Sequence, residues 1–132
     1  MFSISGFPEK RQIRSMKTVD ESFNQSAWEA LQKAGISARV LNIFTLKPLD
    51  TEAVVKAAKE TGAIVTAENH NIINGLGSAV AEALSENYPV PLERVGIKDL
   101  FGEVGSVDFL KKRFELTAEE IANRAQKAIS RK

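Results

Sequence analysis

No cysteine occurs in the 132 residues and histidine occurs once. The first absence excludes a disulfide framework, a cysteine metal site and a thiol nucleophile. The second excludes any centre that needs two imidazoles, a zincin-type metal site among them. Charge of one sign is also missing: 18 Lys+Arg stand against 17 Asp+Glu, a net charge of +1. Non-specific nucleic-acid binding needs a clustered positive excess and gains no support from that balance. No apolar run approaches the roughly 18 residues that a membrane helix requires. The opening MFSISGFPEKRQ meets charge within its first ten residues and does not read as a signal peptide. The expectation is a soluble, cytoplasmic chain with one globular domain, contacting neither nucleic acid nor membrane.

What the chain does contain is alternation. Residues 38–44 (ARVLNIF) are β-rich, lie between Gly35 and Pro48, and read as a strand. Asp50 or Thr51 can then cap a helix over 52–60 with Val54, Val55 and Ala58 on one stripe, and Gly62 ends it. Residues 63–67 (AIVTA) are uncharged, as in a strand covered on both faces. The turn Asn74-Gly75-Leu76-Gly77 leads into a helix over 78–86 with Val80, Ala81 and Leu84 inward. Residues 92–97 (LERVGI) give a third strand, and a helix is expected over 107–114. The last helix starts at Thr117, where Thr117 and Glu120 form a capping box, with Ile121, Ala125, Ala128 and Ile129 inward. Strand alternating with helix predicts an α/β fold, a three-layer α/β/α arrangement around a mostly parallel sheet.

The start of the chain departs from this rhythm. Residues 1–17 have scattered apolar positions without a sustained period and are expected to be poorly ordered. The domain proper is expected over 18–132. It opens with an amphipathic helix over 18–34 that carries Val19, Phe23, Trp28 and Leu31 roughly on one side. Trp28 fits either a core or a partner surface. No run before Ala38 reads as a buried strand, so one sheet edge is expected to lack a neighbour and to favour self-association.

Two constellations carry possible chemistry. Gly75 and Gly77 lie between a strand and a helix, where backbone N–H groups hold phosphate in other proteins. The third glycine of a dinucleotide fingerprint is absent, because position 80 is Val80, and no Gly-Lys-Ser/Thr ending follows. Close packing of the helix on its strand explains the same glycines, and Asn74 suits either reading because Asn tolerates left-handed backbone angles. Glu68 and His70 follow the second strand at the edge where α/β sheets bind ligands. As a carboxylate and an imidazole they are a candidate acid and base, but no Ser or Cys nucleophile stands near them. The Lys and Arg residues of the last two helices interleave with Glu115, Glu119 and Glu120 and read as a solvated face. On the residues alone, no self-sufficient active site emerges.

Residues 39–50 (RVLNIFTLKPLD) resemble the signature of the C-terminal domain of transketolases and related thiamine-diphosphate enzymes. TAENH at 66–70 with GLGSAVAE at 75–82 resembles the acid-x-His, glycine, helix segment of that family. GIKDLFGEVGS at 96–106 and LTAEEI at 116–121 resemble its close. The resemblance covers about residues 29–132. It implies the C-terminal section of a transketolase, whose parent reaction transfers a two-carbon ketol unit between sugar phosphates in the pentose phosphate pathway. It further implies that thiamine diphosphate and a divalent metal lie in preceding domains or subunits. This domain would then supply architecture and homodimer contacts without being active alone, and bind no cofactor itself. No catalytic, cofactor-binding or metal residue is carried over; Glu68, His70, Gly75 and Gly77 are motif positions with a structural reading. Asn74 stands where the family commonly has glycine, and residues 12–25 are polar where the family has a buried strand. Competing readings are a stand-alone phosphate-binding module using the Gly75 to Gly77 turn, a non-functional fragment, or the corresponding domain of a deoxyxylulose phosphate synthase or 2-oxoacid dehydrogenase beta subunit.

Overall fold

A computed structural model describes residues 1–5 and 21–132, with side chains described at Met1 and from Gln25 onward. The elements are β1 (Phe2–Ser5), α1 (Glu21–Lys33), β2 (Ser37–Val40), α2 (Thr51–Thr61), β3 (Ile64–Asn71), α3 (Leu76–Asn87), β4 (Leu92–Ile97), α4 (Val107–Arg113) and α5 (Ala118–Ile129). The sheet order is β2-β1-β3-β4. β3 and β4 pair in parallel, whereas β1 is antiparallel to both β2 and β3. Strands β2, β3 and β4 therefore run one way, with β1 reversed between them.

Alternation along β3 divides the core. Val65 packs with Ala27 and Leu31 of α1 and with Ile121, Ala125 and Ala128 of α5. Ile64 faces the other way, onto Val54, Ala57 and Ala58 of α2 and Val80 and Leu84 of α3. Two helices thus cover each sheet face, as the alternating pattern predicts. Within the helices the inward stripe shifts slightly. Ala57 is buried on α2 and Val55 only partly; on α3 Ala83 is buried and Ala81 partly; on α5 Ala122 is buried and Ile129 partly. On α2 and α5 alanine takes the closest approach and the larger neighbour sits at the margin. Trp28 is 36% exposed, so the core position on that turn of α1 belongs to Ala27.

The helix ends follow their capping residues. The Asp50 carboxylate accepts from the Ala53 N–H at 3.0 Å, and Gly62 closes α2 in the left-handed conformation at φ 73°. The Thr117 hydroxyl accepts from the Glu120 N–H at 3.2 Å. The Glu120 carboxylate, expected to complete a capping box, accepts instead from Arg124 Nε at 2.6 Å.

Two strand expectations require correction. The strand expected over 38–44 stops at Val40; Leu41 and Met1 exchange two further hydrogen bonds, each of 2.8 Å, at the point where the partner strand runs out at the first residue. The expectation that no strand precedes Ala38 fails at Phe2–Ser5, a four-residue strand in the interior of the sheet. Half of that strand is serine, too short and polar to register as apolar periodicity, yet an interior strand needs only backbone groups to complete its two ladders. Of the segment 1–17 expected to be poorly ordered, the rest, and Val19, lie outside the described residues.

Candidate functional site

The motif residues meet at the C-terminal ends of β3 and β4, where the chain turns into α3. A register shift between Ala67 and Asn71 loosens β3 from β4 at this end. Glu68 is half-buried there and reaches back across the turn. Its Oε2 accepts from the Leu76 N–H at 2.8 Å and its Oε1 from the Gly77 N–H at 3.0 Å. The first N–H groups of a helix have no partner within the helix, and the helix dipole favours negative charge beside them. Gly75, the N-cap of α3, has no side chain to offer. A carboxylate from the neighbouring strand supplies the cap in its place.

Both motif glycines are required by close approach. A Cβ at Gly75 would lie 2.0 Å from Glu68 Oε2 and 2.7 Å from the Asn71 carbonyl oxygen. At Gly77 it would lie 2.5 Å from Arg94 Cδ and 3.0 Å from Thr66 Oγ1. Arg94 crosses from β4 and donates through Nη1 to the Ile72 carbonyl at 3.1 Å. The Ser78 hydroxyl donates to the same carbonyl at 3.1 Å and accepts from the Asn74 N–H at 3.0 Å. Asn74 itself is left-handed, with φ 61°. Asn71 accepts from the Ile73 N–H at 2.8 Å and donates to Asp99 Oδ1 at 3.2 Å, tying this turn to the segment after β4.

His70 is exposed, and its Nδ1 lies 3.3 Å from the Asn71 carbonyl oxygen. Glu68 and His70 are not hydrogen-bonded to each other, because both Glu68 oxygens are turned onto α3. Their candidacy as an acid–base pair finds no geometric support. The phosphate-binding reading of the turn gains no support on the same ground, since the Leu76 and Gly77 N–H groups it would use donate to Glu68. Among the described residues, no three His, Asp or Glu side chains gather in a way that could hold a metal ion. The donor set does not fit a metal-bound diphosphate. A shallow depression of about 280 Å³ lies elsewhere, lined by Lys112, Glu115, Thr117, Glu119, Glu120 and Asn123, with charges of both signs.

Sequence reasoning missed Arg94 and Gly96. A Cβ at Gly96 would lie 2.5 Å from Ile72 Cγ2 and 3.1 Å from Glu68 Cγ. An isolated glycine inside a strand was the available signal of that approach. A second unpredicted cluster surrounds Glu93, which is 5% exposed on β4. It accepts from Arg131 at 2.6 Å, Lys127 at 3.1 Å and Arg124 at 3.4 Å. Burial pushes its carboxyl up, but the hydrogen bonds from Lys127, Arg131 and Arg124 outweigh this and hold it below its ordinary value.

The fold is a three-layer α/β/α unit whose glycine turn is capped by a carboxylate of its own neighbouring strand. The family described as "Transketolase, C-terminal domain" matches residues 18–121, and the chain belongs to that family. It is 58% identical over 106 residues to the 6-deoxy-6-sulfo-D-fructose transketolase subunit SqwH of Clostridium sp. (strain MSTE9), a match covering 80% of this chain and 33% of that subunit. It is 41% identical over 103 residues to the 1-deoxy-D-xylulose-5-phosphate synthase of Heliobacterium modesticaldum (strain ATCC 51547 / Ice1), covering 77% of this chain and 16% of that enzyme. A solved structure titled "Split gene transketolase, inactive beta4 tetramer" superposes with a TM-score of 0.77 at 47% identity, covering 83% of this chain and 37% of that one. The chain thus matches between 16% and 37% of the length of these relatives.

Proposed function

We propose that this chain is the C-terminal section of a transketolase, an enzyme that moves a two-carbon ketol unit between sugar phosphates. The observation that carries the reading is the 58% identity to a transketolase subunit, in which the matched part is only 33% of the whole. The occupied turn supports it, since Glu68 leaves Leu76 and Gly77 no N–H for a substrate phosphate. The section contributes architecture and subunit contacts, and the cofactor-binding portion lies in preceding domains or a companion subunit of a cytoplasmic, dimer-based enzyme. Because the residues described here do not fit thiamine diphosphate or its metal, no chemical step is assigned to them. The similarity to a 1-deoxy-D-xylulose-5-phosphate synthase is weaker, at 41% identity, and the ketol-transfer reading is preferred on that difference.

The test is a chimera in which the matched third of the Clostridium subunit is replaced by the corresponding residues of this chain. Combined with its companion subunit, thiamine diphosphate and magnesium, it should transfer ketol units, whereas the 132-residue chain should be inactive and its Tm unmoved by sugar phosphates. A ligand at one hundred times its Kd would add about 2.7 kcal/mol, several degrees for a domain of this size. Ketol transfer by the chain alone, or an inactive folded chimera, overturns the proposal.

A further inference from the structure

Between β4 and α4 the chain runs without regular structure from Lys98 to Ser106, and every residue from Lys98 to Phe109 is exposed. Five large apolar side chains fall in this stretch. Phe101 is 98% and Val104 102% exposed, and Leu100, Val107 and Phe109 are about half exposed or more. The segment is nevertheless pinned. Asn71 holds Asp99, Lys98 pairs with Glu115, and Arg113 pairs with Glu103 at 2.7 Å. The Phe109 ring packs against Gly105 so closely that a Cβ there would lie 2.5 Å away. Apolar side chains fixed in water by a ring of polar ties mark a surface shaped for a partner rather than a loose loop.

We infer that the Leu100 to Phe109 surface docks on the preceding portion of the enzyme, the part that transketolase subunits carry and the matched region does not. This rests on the transketolase reading above. The missing length selects the occupant, since the match covers 33% of the Clostridium subunit and about two thirds of such a subunit remains to be packed against this domain. Area points the same way. These five side chains offer roughly 500 Å². That falls short of the ~800 Å² per partner of a stable complex between separate proteins, but suits an interface between domains of one chain, about 300–750 Å² a side.

The test compares amide hydrogen exchange in the 132-residue chain and in the chimera, each with and without the substitutions Phe101→Asp and Val104→Asp. Exchange across residues 100–107 should slow at least tenfold in the chimera relative to the chain alone. The paired substitutions should remove that protection and lower the Tm of the chimera, while the Tm of the separate chain stays within a degree, because both side chains are in water there. Equal exchange in both proteins, or a chimera indifferent to the substitutions, overturns the inference even if ketol transfer is intact. If the separate chain sediments as a dimer that Phe101→Asp dissolves, the occupant is a second copy and the inference is wrong. A folded chimera that is inactive but protected at 100–107 sinks the transketolase reading and leaves the docking surface standing. A chimera that does not fold counts against both.

Discussion

At the scale of single residues the site is governed by what the backbone of α3 needs. Glu68 satisfies two N–H groups that no residue of the helix or its cap can reach, so its removal acts on stability rather than on ligand affinity. Glu68→Ala should cost about 1–2 kcal/mol, the range of lost N-caps, while Glu68→Gln, which keeps an acceptor but loses the charge, should cost less; urea titration of both variants decides it. Gly75→Ala belongs to the same contact, because the new methyl lies on Glu68 Oε2. Thr66 offers the opposite case. It is fully buried, and its hydroxyl has no hydrogen-bond partner among the described residues. Thr66→Val keeps the shape and removes the unpaired group, so it should stabilise by about 1 kcal/mol, read as a rise in Tm. The glycine pair and Asn74 were legible in the sequence because backbone demands restrict residue type. The direction in which Glu68 points was not, since a carboxylate two places from an imidazole is compatible with either catalysis or capping until the helix is set beside it.

At the scale of elements, β4 and α5 are joined by charge as well as by packing. Glu93 lies under Arg124 and Lys127 of α5 and Arg131 just beyond its C-terminal end, and Glu120 shares Arg124. Its carboxyl is held below the ordinary value of 4.5. The unfolded chain therefore takes up this proton before the folded one does. The contribution to stability is complete above about pH 5 and is lost as the pH falls through the lowered folded value. Glu93→Gln should flatten the acid limb of a plot of unfolding free energy against pH between neutral and about pH 3, and should lower stability at pH 7 by about 1–3 kcal/mol. An unchanged acid limb would place the pH dependence elsewhere. The lengths of α2, α3 and α5 were legible from their caps and apolar stripes, which are local. The Glu93 cluster was hidden because its members are more than thirty residues apart, and cations on a terminal helix look like a solvated face until a buried carboxylate is placed beneath them.

For the molecule as a whole, the decisive element is the one with the weakest sequence signal. Among the described residues β2 has β1 as its only neighbour in the sheet, so there β1 alone connects β2 to the β3–β4 pair. Ser3 is paired on both sides, with Arg39 and Ile64, and Met1 is buried among Val54, Ala57, Ile64 and Val80. Four residues with alternating F-S-I-S could not announce this role, because the apolar period of a strand needs length, whereas a ladder needs only backbone. The α/β/α layering was legible because it repeats from residue 36 onward; the reversed interior strand was not, because nothing local specifies which gap in a sheet a short segment fills. Ser3→Pro removes a backbone donor in the middle of the sheet and should destabilise the chain by about 3 kcal/mol or more, measured by urea unfolding. Ser5→Pro, at a strand end paired only with Ser37, should cost much less. Removing residues 1–5 should separate β2 and α1 from the rest of the sheet, so that unfolding followed by tryptophan fluorescence at Trp28 no longer coincides with the loss of far-ultraviolet circular dichroism. Coincident transitions in the truncated chain would mean that the two halves cohere through α1 and α5 alone, and that the interior strand is dispensable.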